Sequence, residues 1–164
     1  MVGKASFTPE EWTLLLESPM MVAMAVTAAE PSGVVGLLRE SFATGSALVK
    51  ASRDTHANEL VKAVAAEFQT AAGRSSAREG MRAGLAGDHG GDVKARTLLL
   101  LAQVNDLLSA KAPEDASAFK AWLNGIAQGV AEAARENGLL GFGGTKVSDA
   151  ERATLAEIRT ALSA

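Results

Sequence analysis

The chain has 164 residues, no cysteine, two histidines, and 16 basic against 19 acidic side chains. That length suits one compact domain with a core that needs no covalent staples. The missing cysteines exclude a disulfide framework, a thiol nucleophile and thiolate metal sites. The near-balanced charge excludes a dedicated nucleic-acid binder, whose footprint is strongly basic.

The most apolar window, Pro19 to Ala29, falls short of the roughly 18 to 20 residues that span a bilayer. Glu10 and Glu11 precede any apolar run near the N-terminus, so no secretory leader is expected and the expected location is cytoplasmic. The 33 alanines and the recurrence of apolar residues at spacings of three and four predict helices throughout. No clean period-two stretch flanked by turn signals is present.

In chain order, Thr8 caps a first helix, with Pro9 at its first position and Glu11 completing a capping box. Phe7 and Trp12 have the spacing of a hydrophobic staple. This helix is expected to end near Glu17. Ser18-Pro19 repeats the cap-and-proline signature and predicts a second helix to Glu30, apolar on all sides. Glu30-Pro31-Ser32-Gly33 is a break, followed by a helix from about Val34 to Ser52. Asp54 or Thr55 then caps a helix to Ala72, which Gly73 stops.

Residues Gly73 to Gly91 contain six glycines and only Met81 and Leu85 as large apolar residues. They read as a glycine-rich mobile connection holding a weak helix from Ser76 to Ala86 and a turn at 87–91. Asp92 caps a strong helix to about Ala110. Pro113 opens another, striped by Phe119, Trp122, Leu123, Ile126 and Val130 and stopped at Asn137-Gly138. Ser148 and Glu151 form a capping box for the last helix, lined by Leu155, Ile158 and Leu162. The expected architecture is a single all-α bundle of six or seven helices, mostly antiparallel neighbours, over residues 1–164. Met20 to Glu30 and Val93 to Ala110 are expected at its centre.

Few residues suggest chemistry. Asp88, His89 and Asp92 offer oxygen and imidazole ligands, but no second group completes a metal shell nearby. His56 lacks a visible orienting carboxylate and reads as a solvated residue of a first helical turn. Arg74, Arg78 and Arg82 recur every four residues, with Lys94 and Arg96 as possible extensions. Together with His89 they form the candidate contact for an anion or an acidic partner. Gly141 to Lys146 fails the spacing of a phosphate loop and has no preceding strand. No catalytic residue, metal site or cofactor is assigned.

The opening Phe7-Thr8-Pro9-Glu10-Glu11-Trp12 and the tail Leu139 to Arg152, containing Leu140-Gly141-Phe142-Gly143-Gly144, resemble the two ends of a group of uncharacterised all-helical bacterial proteins. The resemblance is confined to those ends and implies no activity. Val147-Ser148-x-x-Glu151 is similar to the helix starts of tellurite-resistance-type helical domains. Those carry an acidic metal-site pattern after the first long helix, where this chain has Glu30-Pro31-Ser32-Gly33.

The expected function is that of a non-enzymatic interaction or structural protein, self-associating as a homodimer if its helices leave apolar stripes uncovered. The alternative is a bundle that holds a small apolar ligand among Met20, Met21, Met24, Phe42, Phe68 and Trp122.

Overall fold

The computed structural model describes residues 3–29, 45–51, 54, 56–85, 92–136 and 148–163. A short 3-10 turn, Lys4–Ser6, leads into α1 (Pro9–Ala28). There follow α2 (45–51), α3 (Glu59–Glu67), α4 (Ala71–Leu85), α5 (Val93–Lys111), α6 (Pro113–Glu136) and α7 (Asp149–Ser163). No strand occurs among the described residues, and the helices pack as an all-α bundle. The readings at Asp88, His89, Phe42, Asn137-Gly138 and Gly141 to Lys146 lie outside the described residues, as does the break at 30–33.

The centre of the bundle is α1, which packs against α3, α4, α5, α6 and α7. Its buried side chains, from Trp12 through Leu15, Leu16, Met21 and Val22 to Val26, occur all round the helix. Each such side chain contributes about 1.5–3 kcal/mol by leaving water. Beside it, α5 contacts α1, α4, α6 and α7 and buries Leu100, Leu101, Val104 and Leu108. The Thr97 hydroxyl, fully buried, lies 3.1 Å from the Met21 carbonyl and 2.7 Å from that of Val93. It can therefore donate across the α1–α5 contact or along its own helix.

The expected boundary between a first and a second helix at Glu17–Ser18 is absent: α1 runs unbroken with Pro19 inside it. Proline lacks the N–H that would reach the Leu15 carbonyl, which normally ends or kinks a helix. Here the buried Ser18 hydroxyl donates to that carbonyl at 2.9 Å. Burial of the helix on both sides of Pro19 supplies the rest of the driving force.

A second difference concerns α3 and α4. The cap of α3 is Asn58, whose Oδ1 accepts from the N–H groups of Leu60 and Val61. Asp54 instead accepts from the His56 N–H at 2.9 Å and closes a local turn. The helix ends at Phe68, before Gly73, and Thr70 starts α4. The Thr70 hydroxyl donates to the Glu67 carbonyl at 2.8 Å and accepts from Gly73 N–H at 2.9 Å. Gly73 therefore lies inside α4 and stops nothing. A Cβ there would stand 2.2 Å from the Glu67 carbonyl oxygen, so only glycine fits the corner.

The remaining start signals operate as read. Thr8 and Glu11 exchange side-chain and backbone hydrogen bonds, and Phe7 packs on Trp12 with ring centroids 5.9 Å apart. Asp92 accepts from Ala95 N–H at 2.9 Å. Ser148 and Glu151 form the reciprocal cap of α7. At the other end of α7, Asn105 donates to the Ala161 carbonyl, one of the acceptors a helix C-terminus leaves open.

Candidate functional site

Among the described residues singled out for chemistry, the arginines of α4 stay together and the others stand apart. Arg74, Arg78 and Arg82 share the solvent face of α4, while Gly73 and Ala77 face inward. Arg74 donates to the Phe68 carbonyl at 2.9 Å. Lys94 and Arg96 do not extend the stripe. Lys94 pairs with Glu157 of α7 at 3.1 Å, and Arg96 is partly buried, with its Nε shut off from solvent. His56 is exposed. Among the described residues no group of three His, Cys, Asp or Glu side chains converges to hold a metal ion. None of the described helices is long and apolar enough to cross a membrane.

The site the fold does create is a cleft of about 340 Å³ between α2, the turn before α3, and α6. Its buried surface comes from Ala51, Val61 and Ile126, and the half-buried Trp122 forms a wall. Phe119, fully buried, meets the Trp122 ring edge-on at a centroid distance of 5.4 Å, which fixes that wall against the core. Lys50 and Asp54 stand exposed on the rim. Asn58 joins two sides of the cleft: it caps α3 while its Nδ2 donates to Asp115 of α6 at 2.7 Å. Gly125 leaves one edge open, since a Cβ there would meet nothing within 4 Å.

Of the five described side chains considered for an apolar ligand site, Met20, Met21, Met24, Phe68 and Trp122, only Trp122 lines this cleft. Met21 is packed into the core, and Met20 and Phe68 lie partly buried against it. The exposed apolar surface that would favour a homodimer is small among the described residues. Leu99 is 58% exposed and Val49 42%, and they sit on separate helices, α5 and α2. Isolated exposed residues of this kind are ordinary on a monomer.

One buried group escaped the sequence reading. Glu17 is only 7% exposed, on α1 beneath α4, and desolvation raises its carboxyl above the usual range against a counter-pull from Arg96. The signal was present: Glu17 is the single charge in the run from Trp12 to Ala29. A charge in such a run either ends a helix or is buried within it, and the expected helix boundary at 17 concealed the second possibility.

No family model, curated protein or solved structure matches this chain.

Proposed function

We propose that this protein is a non-catalytic binding module whose cleft beside Trp122 takes a small, largely apolar molecule without net charge. The observation that carries the reading is the cleft itself: an opening of about 340 Å³ with an aromatic wall and an aliphatic floor. Ligand sites occupy clefts of roughly 300–1,000 Å³, mostly apolar, with a few polar groups to orient the guest. Lys50 and Asp54 on the same rim oppose each other in charge, which disfavours a guest carrying a net charge of either sign. Self-association takes second place, because the described helices enclose most of their apolar stripes.

Native mass spectrometry of protein taken directly from cells tests the proposal with one variant. Gly125→Leu places a side chain at the open edge, where nothing stands within 4 Å of the new Cβ. It keeps the helix, since glycine is about 0.8–1.0 kcal/mol worse than alanine and leucine ranks close to alanine. The expected result is a co-purifying mass on the natural chain that is lost from an equally folded Gly125→Leu. A natural chain free of bound mass, or equal occupancy in both, would overturn the proposal.

A further inference from the structure

The cleft beside Trp122 has two charged residues in its described lining, and both stand on the side away from α6. Lys50 belongs to α2, and Asp54 follows one turn later, its N–H donating to the Lys50 carbonyl at 3.0 Å. Side chains at this spacing start about 5–6 Å apart. They are nevertheless unjoined: no ion pair links them, and the Lys50 ammonium has no bonded partner. Asp54 gives one carboxylate oxygen to the His56 N–H at 2.9 Å and keeps the other.

The remaining polar side chain of the described lining is already committed. Asn58 Oδ1 accepts from Leu60 and Val61, and its Nδ2 donates to Asp115 at 2.7 Å. Everything else there is alanine, Gly125, Val61, Ile126 or Trp122. The cleft is therefore apolar in its body and carries an unpaired cation and an unpaired anion together on one rim.

Resting on the reading of this cleft as a ligand site, we propose that its guest is an apolar α-amino acid. The carboxylate sits on Lys50, the ammonium on Asp54, and the side chain lies against Trp122 and Ile126. For a guest with a single charge the two rim residues cancel, because one attracts it and the other repels it. A neutral guest gains little from either. Only a zwitterion gains from both.

The placement of the rim charges also selects among zwitterions. Both face the guest from one side, so its two charges belong at one end of an apolar body. An α-amino acid carries them on one carbon, whereas a dipeptide holds them at opposite ends. Exposed ion pairs are weak, and each contact contributes up to about fivefold in affinity. The apolar walls supply the rest.

NMR titration of the full, nitrogen-15-labelled chain with four matched probes tests the assignment. These are phenylalanine, 3-phenylpropanoate without the ammonium, 2-phenylethylamine without the carboxylate, and 3-phenylpropanamide without charge. Phenylalanine is expected to bind about five- to twenty-five-fold more tightly than the amide, shifting the amides of Lys50, Asp54, Asn58 and Gly125. Lys50→Met should turn the choice between the singly charged probes toward the amine, and Asp54→Asn toward the carboxylate. Both variants spare the fold: Lys50 is exposed, and an asparagine oxygen still accepts from the His56 N–H. Equal affinity for phenylalanine and 3-phenylpropanamide, or unchanged preferences in the two variants, would overturn the amino-acid assignment and leave the cleft an apolar site. Shifts from none of the four would also overturn it, and the Gly125→Leu comparison then decides on the cleft reading itself.

Discussion

The Ser18 hydroxyl donates at 2.9 Å to the Leu15 carbonyl, the acceptor that Pro19 cannot serve. This replacement bond accounts for a proline inside the central, buried helix. Ser18→Ala should therefore cost about 1–3 kcal/mol, the cost of leaving a buried acceptor unpaired. With Pro19→Ala, the restored N–H can serve Leu15 instead, and removing the hydroxyl should then cost markedly less. Urea unfolding of the double-mutant cycle measures the difference. Equal costs in the two backgrounds would show that the hydroxyl does not stand in for the missing N–H.

Two glycines should respond with opposite signs. Gly73→Ala forces a Cβ to within 2.2 Å of a backbone oxygen that has no freedom to retreat. Overpacking of this kind costs about 1–3 kcal/mol or more. Gly129, inside α6, has open space around its Cβ position, so Gly129→Ala should gain about 0.8–1.0 kcal/mol from helix propensity. Thermal unfolding of both variants checks the pair. A stabilised Gly73→Ala would mean that the α3–α4 corner relaxes without strain.

The contrast between these glycines shows what the sequence could and could not reveal. Four helix starts were legible because caps are local: Thr8 with Glu11, Asp92, Pro113 and Ser148 with Glu151 each act within four residues. Continuation through Pro19 was not legible, since it depends on burial by distant helices and on one side-chain bond. Gly73 is a stop signal by composition and a close-approach residue by geometry, and only the position of Glu67 decides between them. Trp122 could be named as a candidate lining residue from its stripe. Its true neighbours, Ala51 and Val61, are more than 60 positions away and no periodicity pairs them.

The α1 start and the α5 end are joined by Lys111 and Glu11, Nζ to Oε2 at 2.6 Å. That bond, and the Thr8 backbone N–H, hold the Glu11 carboxyl below its ordinary value of 4.5. A lowered folded-state pKa gives stability that is present above the ordinary value and lost as pH falls through the lowered one. The natural chain should therefore lose this contribution on acidification below the ordinary carboxylate range, and Glu11→Gln should lack that part of the acid profile. Glu17 has the opposite sign: its raised carboxyl favours the folded state more as pH falls, so Glu17→Gln should be the more stable form at neutral pH. Chemical unfolding at several pH values separates the two. Glu11→Gln showing an unaltered acid limb would contradict the assignment.

Ligand binding in the Trp122 cleft is tested most directly by tryptophan fluorescence. The chain has two tryptophans, and the other, Trp12, is packed against Phe7 away from the cleft lining. Trp12→Phe therefore leaves a single reporter in the cleft wall. Titration with the apolar dye anilinonaphthalene sulfonate and with an uncharged analogue, anilinonaphthalene, should quench Trp122 by energy transfer in both cases. The uncharged dye should bind more tightly, and Gly125→Leu should abolish both signals. Saturable quenching that survives in Gly125→Leu, or no quenching by either dye in the Trp12→Phe chain, would contradict the binding reading.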